Sequence, residues 1–116
     1  MDSILNKGPF APCPSPFNMA AHVLGRATMQ PEKVALTVMG RRQDTHWSYA
    51  KLEAAVRGTG TGLLRLGLKA GDILLLRLGN TPEFPIAYLG AIAVGVIPVP
   101  TSSQLTLSEV EKIVTT

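Results

Sequence analysis

The sequence predicts an α/β fold: an incomplete, doubly wound, mainly parallel sheet with a βαβ unit and an N-terminal hairpin. Three observations carry this. Two apolar runs of strand length, Ile73–Leu78 and Val96–Val99, flank a helix-length apolar segment, Pro82–Val94. A strand, helix and strand so spaced close as a right-handed crossover between parallel strands. Upstream, Lys33–Met39 and Thr45–Trp47 flank the turn-rich segment 40–44, the pattern of a hairpin. Last, a helical pattern over Thr106–Val114 has no strand pattern after it, so the topology reads as cut short.

The elements follow in chain order. Met1–Pro16 reads as an extended leader, because Pro9, Pro12, Pro14 and Pro16 break any helix or ladder. Residues 17–116 form the single packed unit. Within it, Phe17–Met29 reads as a helix with Asn18 as N-cap and an apolar stripe of Ala20, Val23, Leu24 and Ala27. Gln30-Pro31 ends it, since the residue before proline avoids the helical region. In the first strand Val34, Leu36 and Val38 alternate onto one face.

Ser48 is placed to cap a second helix, Tyr49–Leu66, with Leu52, Ala55, Val56, Thr59, Leu63 and Leu66 on one side. Glu53 and Arg57 stand four apart, the spacing of a surface ion pair. Gly58, Gly60 and Gly62 oppose this helix, each costing ~1 kcal/mol against alanine. They are tolerated if tertiary packing holds the helix, for instance where another backbone comes close; a break near Gly60 is the alternative. Ile73–Leu78 has the apolar density of a strand buried on both faces. Thr81 then caps a third helix with Pro82 at its first position and Pro85 removing an early donor. Its stripe is Phe84, Ala87, Tyr88, Ala91 and Ile92, and Gly95 ends it. Thr106 and Glu109 have the spacing of a capping box for the last helix.

Composition removes several function classes. Hydrophobic residues are 46% of the 116, enough for a packed core, but charged residues are only 16%, below the usual ~25%. That shortfall points to surface meant to be covered by more protein. The net charge of +3 is scattered, and only Arg41-Arg42 are adjacent, unlike the concentrated basic face of a nucleic-acid binder. Cys13 stands alone between two prolines, so a reducing, cytoplasmic setting and an inert thiol are expected. The longest apolar stretch, Ile86–Pro100, is shorter than the ~20 residues of a membrane span and is broken by Gly90, Gly95 and Pro98.

No motif assigns a catalytic, cofactor-binding or metal-binding residue. Gly58-x-Gly60-x-Gly62 lacks the dinucleotide spacing and lies inside a helix. Gly62 through Gly67 has mononucleotide-loop spacing, but Leu68 stands where a phosphate-neutralising lysine is needed. His22 and His46 have no second ligand type nearby, Ser102-Ser103 lack a nucleophile elbow, and Glu109 and Glu111 face different ways.

The order of segments nevertheless resembles one family. Trp47-Ser48-Tyr49-Ala50-Lys51-Leu52 is similar to the "L-[ST]-Y-x-E-L" motif of the adenylate-forming (AMP-binding) superfamily. Leu66–Asp72 resembles its "LGVKPGDRV" loop, and Asn80-Thr81-Pro82-Glu83-Phe84 resembles "NSPEF". Ala91–Pro100 resembles "ALKAGAVVVPL", and Leu105-Thr106 with Glu109 resembles "LTPEEL". The opening Phe17–Leu24 is similar to the start of benzoate- and medium-chain-type CoA ligases. Lys51 replaces the usual Glu, and three glycines replace the usual alanines and leucines of the second helix.

The resemblance implies a parent that is an ATP-dependent carboxylate–CoA ligase using ATP, Mg²⁺ and CoA. Such an enzyme joins a carboxylic acid to AMP, releasing pyrophosphate, and then passes the acyl group to the thiol of CoA. The family's phosphate loop, adenine segment, ribose-binding Asp and catalytic Lys have no counterpart in this sequence. The chain is therefore expected to be a catalytically incomplete first part of the large N-terminal domain, partnered by the remainder of the ligase or by itself. The alternative is a stand-alone, non-catalytic interaction module derived from a ligase front end.

Overall fold

A computed structural model describes residues 3–116. The chain is mixed α/β, with four helices and four strands among these residues. In order they are α1 (Met19–Leu24), β1 (Val34–Val38), β2 (Thr45–Ser48), α2 (Tyr49–Arg65), β3 (Ile73–Leu76), α3 (Glu83–Ala93), β4 (Ile97–Pro100) and α4 (Leu107–Thr115). β1 and β2 pair antiparallel, and β3 and β4 pair parallel, as two separate two-stranded sheets. Residues 3–16 form neither helix nor strand and are exposed; residues 1 and 2 of the expected leader lie outside the described residues.

α1 is shorter than its sequence pattern. Asn18 caps it, its Oδ1 accepting from the Ala21 N–H at 3.1 Å, but the helix stops at Gly25. The chain continues to Met29 in three-residue turns, with Ala27 N–H donating to Leu24 and Met29 N–H to Arg26. Those turns still bury Ala27, while Val23 faces outward, 42% exposed. Asn18 also donates from Nδ2 to the Ile92 carbonyl at 2.9 Å. One side chain thus starts α1 and ties it to the last turn of α3.

In β1 the strict alternation fails. The register shifts between Val34 and Leu36, so Val34 is exposed while Ala35, Leu36 and Val38 are half-buried. An irregularity of this kind resets which side chains share a face. The hairpin is joined to α2 by two backbone bonds, Tyr49 N–H to Lys33 O and Ala50 N–H to Pro31 O.

α2 starts where expected, the Ser48 hydroxyl accepting from the Lys51 N–H, and runs unbroken through all three glycines. Leu52, Val56, Gly60 and Leu63 are its buried face, whereas Leu66 is at the cap and exposed. Gly60 and Gly90 form the contact with α3. A Cβ on Gly60 would meet Val94 Cγ1 at 3.0 Å and Gly90 O at 3.2 Å. A Cβ on Gly90 would fall 2.8 Å from Thr59 Cγ2. Gly58 and Gly62 face open space.

α3 begins at Glu83 rather than Pro82, and Thr81 is not its side-chain cap. Pro82 occupies the cap position already in helical geometry, where its missing N–H costs nothing. Pro85 falls at the third helical position, where the N–H is also free of an intrahelical partner, so it is accommodated too. Leu89, Gly90 and Ala91 are the buried residues. Of the expected stripe only Ala91 is fully buried, because this helix is apolar nearly all round and periodicity does not choose its face.

The parallel pair is set by two turns. Gly95 has φ +78 and Gly71 φ +92, and Gly71 N–H donates to Gly95 O at 2.9 Å. This places Ile73 opposite Ile97. Leu74 and Leu76 turn inward, but Ile73 is 67% and Ile97 49% exposed. The expectation of a strand buried on both faces is therefore corrected: the helices cover one side only. The core lies between α1, α2 and α3 around Leu52, Val56 and Leu89, and continues around Leu63, Ala91 and Val96 under the parallel strands.

Two outcomes test this packing by urea denaturation. Gly90→Ala is expected to lose on the order of 1 kcal/mol, overpacking against Thr59 outweighing the helix-propensity gain. Gly58→Ala, with nothing near it, is expected to gain up to ~1 kcal/mol. Equal effects at the two positions would remove the close-contact account. Asn18→Ala is expected to cost ~1–2 kcal/mol, since it deletes both a cap and a long-range bond.

Candidate functional site

The candidate site residues can be placed one by one. Gly58, Gly60 and Gly62 all lie within α2 and form no loop. Cys13 is exposed, ahead of α1. His46 shares a 3.0 Å hydrogen bond with the Thr37 hydroxyl across the hairpin, and the His22 ring lies 5.4 Å from that of Phe17. The Ser102 hydroxyl accepts from the Gln104 N–H. Glu109 is tied to Thr106. These groups are spread over the chain and are not brought together. No group of three His, Cys, Asp or Glu among the described residues is arranged to hold a metal ion.

What the fold does assemble is an open cleft of about 660 Å³ between α1, α2 and the end of α3. Ala20, Leu24, Val56, Gly60 and Val94 are among its apolar lining. At its rim Glu53 Oε1 accepts from Arg57 Nε at 3.0 Å and Nη2 at 2.8 Å. With Arg57 largely in solvent, this pair adds little stability. No local sequence signal marks this cleft, since its walls come from segments far apart in the chain.

A second feature is a set of apolar side chains left exposed. Ile73 and Ile97 lie side by side on the uncovered face of the parallel pair. α4 has no buried residue, and its Leu107, Ile113 and Val114 are exposed. Parallel sheets are ordinarily covered on both faces, and contiguous exposed apolar surface marks a site of association. The hairpin carries a smaller gap: Trp47 Nε1 is buried without an acceptor, while Lys51 Nζ lies 4.1 Å from the centroid of the Trp47 ring. Lys51, the departure from the family motif, thus makes a cation–π contact.

Two carboxyl groups have resolved pKa shifts, both at helix starts. The Thr106 backbone N–H and then its hydroxyl hold Glu109 below the usual carboxylate value. Thr106 N–H donates to Glu109 Oε2 at 2.8 Å, and the Glu109 N–H donates back to the hydroxyl. The Thr81 hydroxyl and then the residue's own backbone N–H do the same for Glu83. These shifts belong to helix entry, and the two groups do not share a site.

A family model described as AMP-binding enzyme matches residues 24–116. The chain belongs to the AMP-binding enzyme family. A 4-coumarate–CoA ligase of Vanilla planifolia is 41% identical over 69 residues, which is 60% of this chain and 12% of that relative. A benzoate CoA ligase from Burkholderia xenovorans LB400 has a solved structure with TM-score 0.74 at 28% identity, covering 85% of this chain and 19% of that one. The N-terminal domain of FACL13 from Mycobacterium tuberculosis, solved with an inhibitor, gives TM-score 0.72 at 28% identity over 84% of this chain and 24% of that one. This chain therefore spans only a small part of the AMP-binding enzymes it matches. No helix among the described residues is long and apolar enough to cross a membrane.

A carboxylate whose pKa is lowered on folding stabilises the fold above its unfolded pKa and loses that contribution as pH falls through the folded value. Thermal stability is therefore expected to decline below about pH 4.3, the ordinary value for Glu. In Glu109→Gln the decline should be shallower and the neutral-pH melting temperature lower. An unchanged acid limb in that variant would remove Glu109 from the account.

Proposed function

We propose that this chain is the N-terminal portion of an ATP-dependent carboxylate–CoA ligase and acts there as scaffold rather than as catalyst. The observation that carries the reading is the family match over residues 24–116, with relatives named as 4-coumarate– and benzoate–CoA ligases. The parent would join a carboxylic acid to AMP with loss of pyrophosphate, then transfer the acyl group to the CoA thiol with loss of AMP.

The residues described here do not fit the groups this chemistry uses. No glycine-rich lysine loop is present to hold phosphate, and among the described residues no carboxylate cluster suits Mg²⁺. The adenylation and transfer steps are accordingly assigned to other parts of the parent. The role left to this segment is to supply the βαβ unit and to offer the uncovered face of β3 and β4, with the apolar side of α4, as the surface on which the remainder of the domain packs. The low charge content of the chain agrees with surface destined for burial.

Two measurements test this. The 116-residue chain is expected to show no ATP–pyrophosphate exchange with 4-coumarate, benzoate or a medium-chain acid. A polypeptide continuing into a full-length AMP-binding enzyme is expected to exchange with one of that class. Exchange by the short chain alone would overturn the scaffold assignment. By light scattering, the short chain is expected to self-associate through its bare face, and Ile73→Lys with Ile97→Lys is expected to shift it toward monomer. A wild-type chain that stays monomeric at high concentration, and unchanged by the substitutions, would sink the docking role.

A further inference from the structure

We draw no further inference here: the strongest candidate, the open cleft of about 660 Å³ between α1, α2 and the end of α3, has an apolar floor and a rim ion pair that satisfies itself, and nothing in the structure shows what covers it.

Discussion

Helices α2 and α3 lie against each other as they do because Gly60 and Gly90 carry no Cβ. The Gly90 carbonyl approaches the position a Gly60 side chain would fill, and Thr59 occupies the space beside Gly90. α1 packs against α3, with Ala20 and Leu24 joining the core cluster of Leu52, Val56 and Leu89, and Asn18 pins it to the Ile92 carbonyl. Val94 and Gly95 leave α3 at the same end and turn into β4, so the helix contact also fixes where the parallel pair begins. Close approach is obtained at the expense of helix propensity, and the exchange favours packing only where a neighbour exists.

The parallel pair shows the opposite condition. Its edge-to-edge pairing is well determined, since Ile97 N–H donates to Asp72 O and Thr101 binds Leu76 O with both its N–H and its hydroxyl. Its inner side is packed under Leu63, Ala91 and Val96. On its outer side Ile73 and Ile97 are left exposed. A sheet made rigid on one face and left apolar on the other is a template for the next layer. α4 fits the same description: its start is fixed by a complete capping box, yet none of its side chains is buried. Local order here comes before tertiary cover.

Much of the fold was legible in the sequence because its determinants are local. The Ser48 and Thr106 caps and the Glu53–Arg57 pair each depend on residues within four positions, and each is found as read. The βαβ unit follows from three consecutive segments. What stayed open or was misread has a different origin. Gly58, Gly60 and Gly62 are identical in kind and lie on one helix, yet only Gly60 has a neighbour, and that neighbour is about 30 residues away. The α3 stripe failed because a helix apolar on all sides has no preferred face until its partners are placed. Burial of Ile73 failed because it requires a layer that these residues do not form. The cleft was invisible for the same reason, being built from three distant segments.

This division explains why the family is recognisable in this chain. The segments that resemble AMP-binding enzymes coincide with joints of the backbone. Gly71 and Gly95 hold positive φ, Ser48 and Thr106 accept free helical N–H groups, and Pro82 sits where a donor would have no partner. At such positions the residue type is dictated by backbone geometry and by unsatisfied donors, irrespective of substrate. Substrate choice is a property of pocket side chains, which a fold carries without specifying. A segment composed of joints therefore reports its architecture strongly and its chemistry only through the relatives that share it.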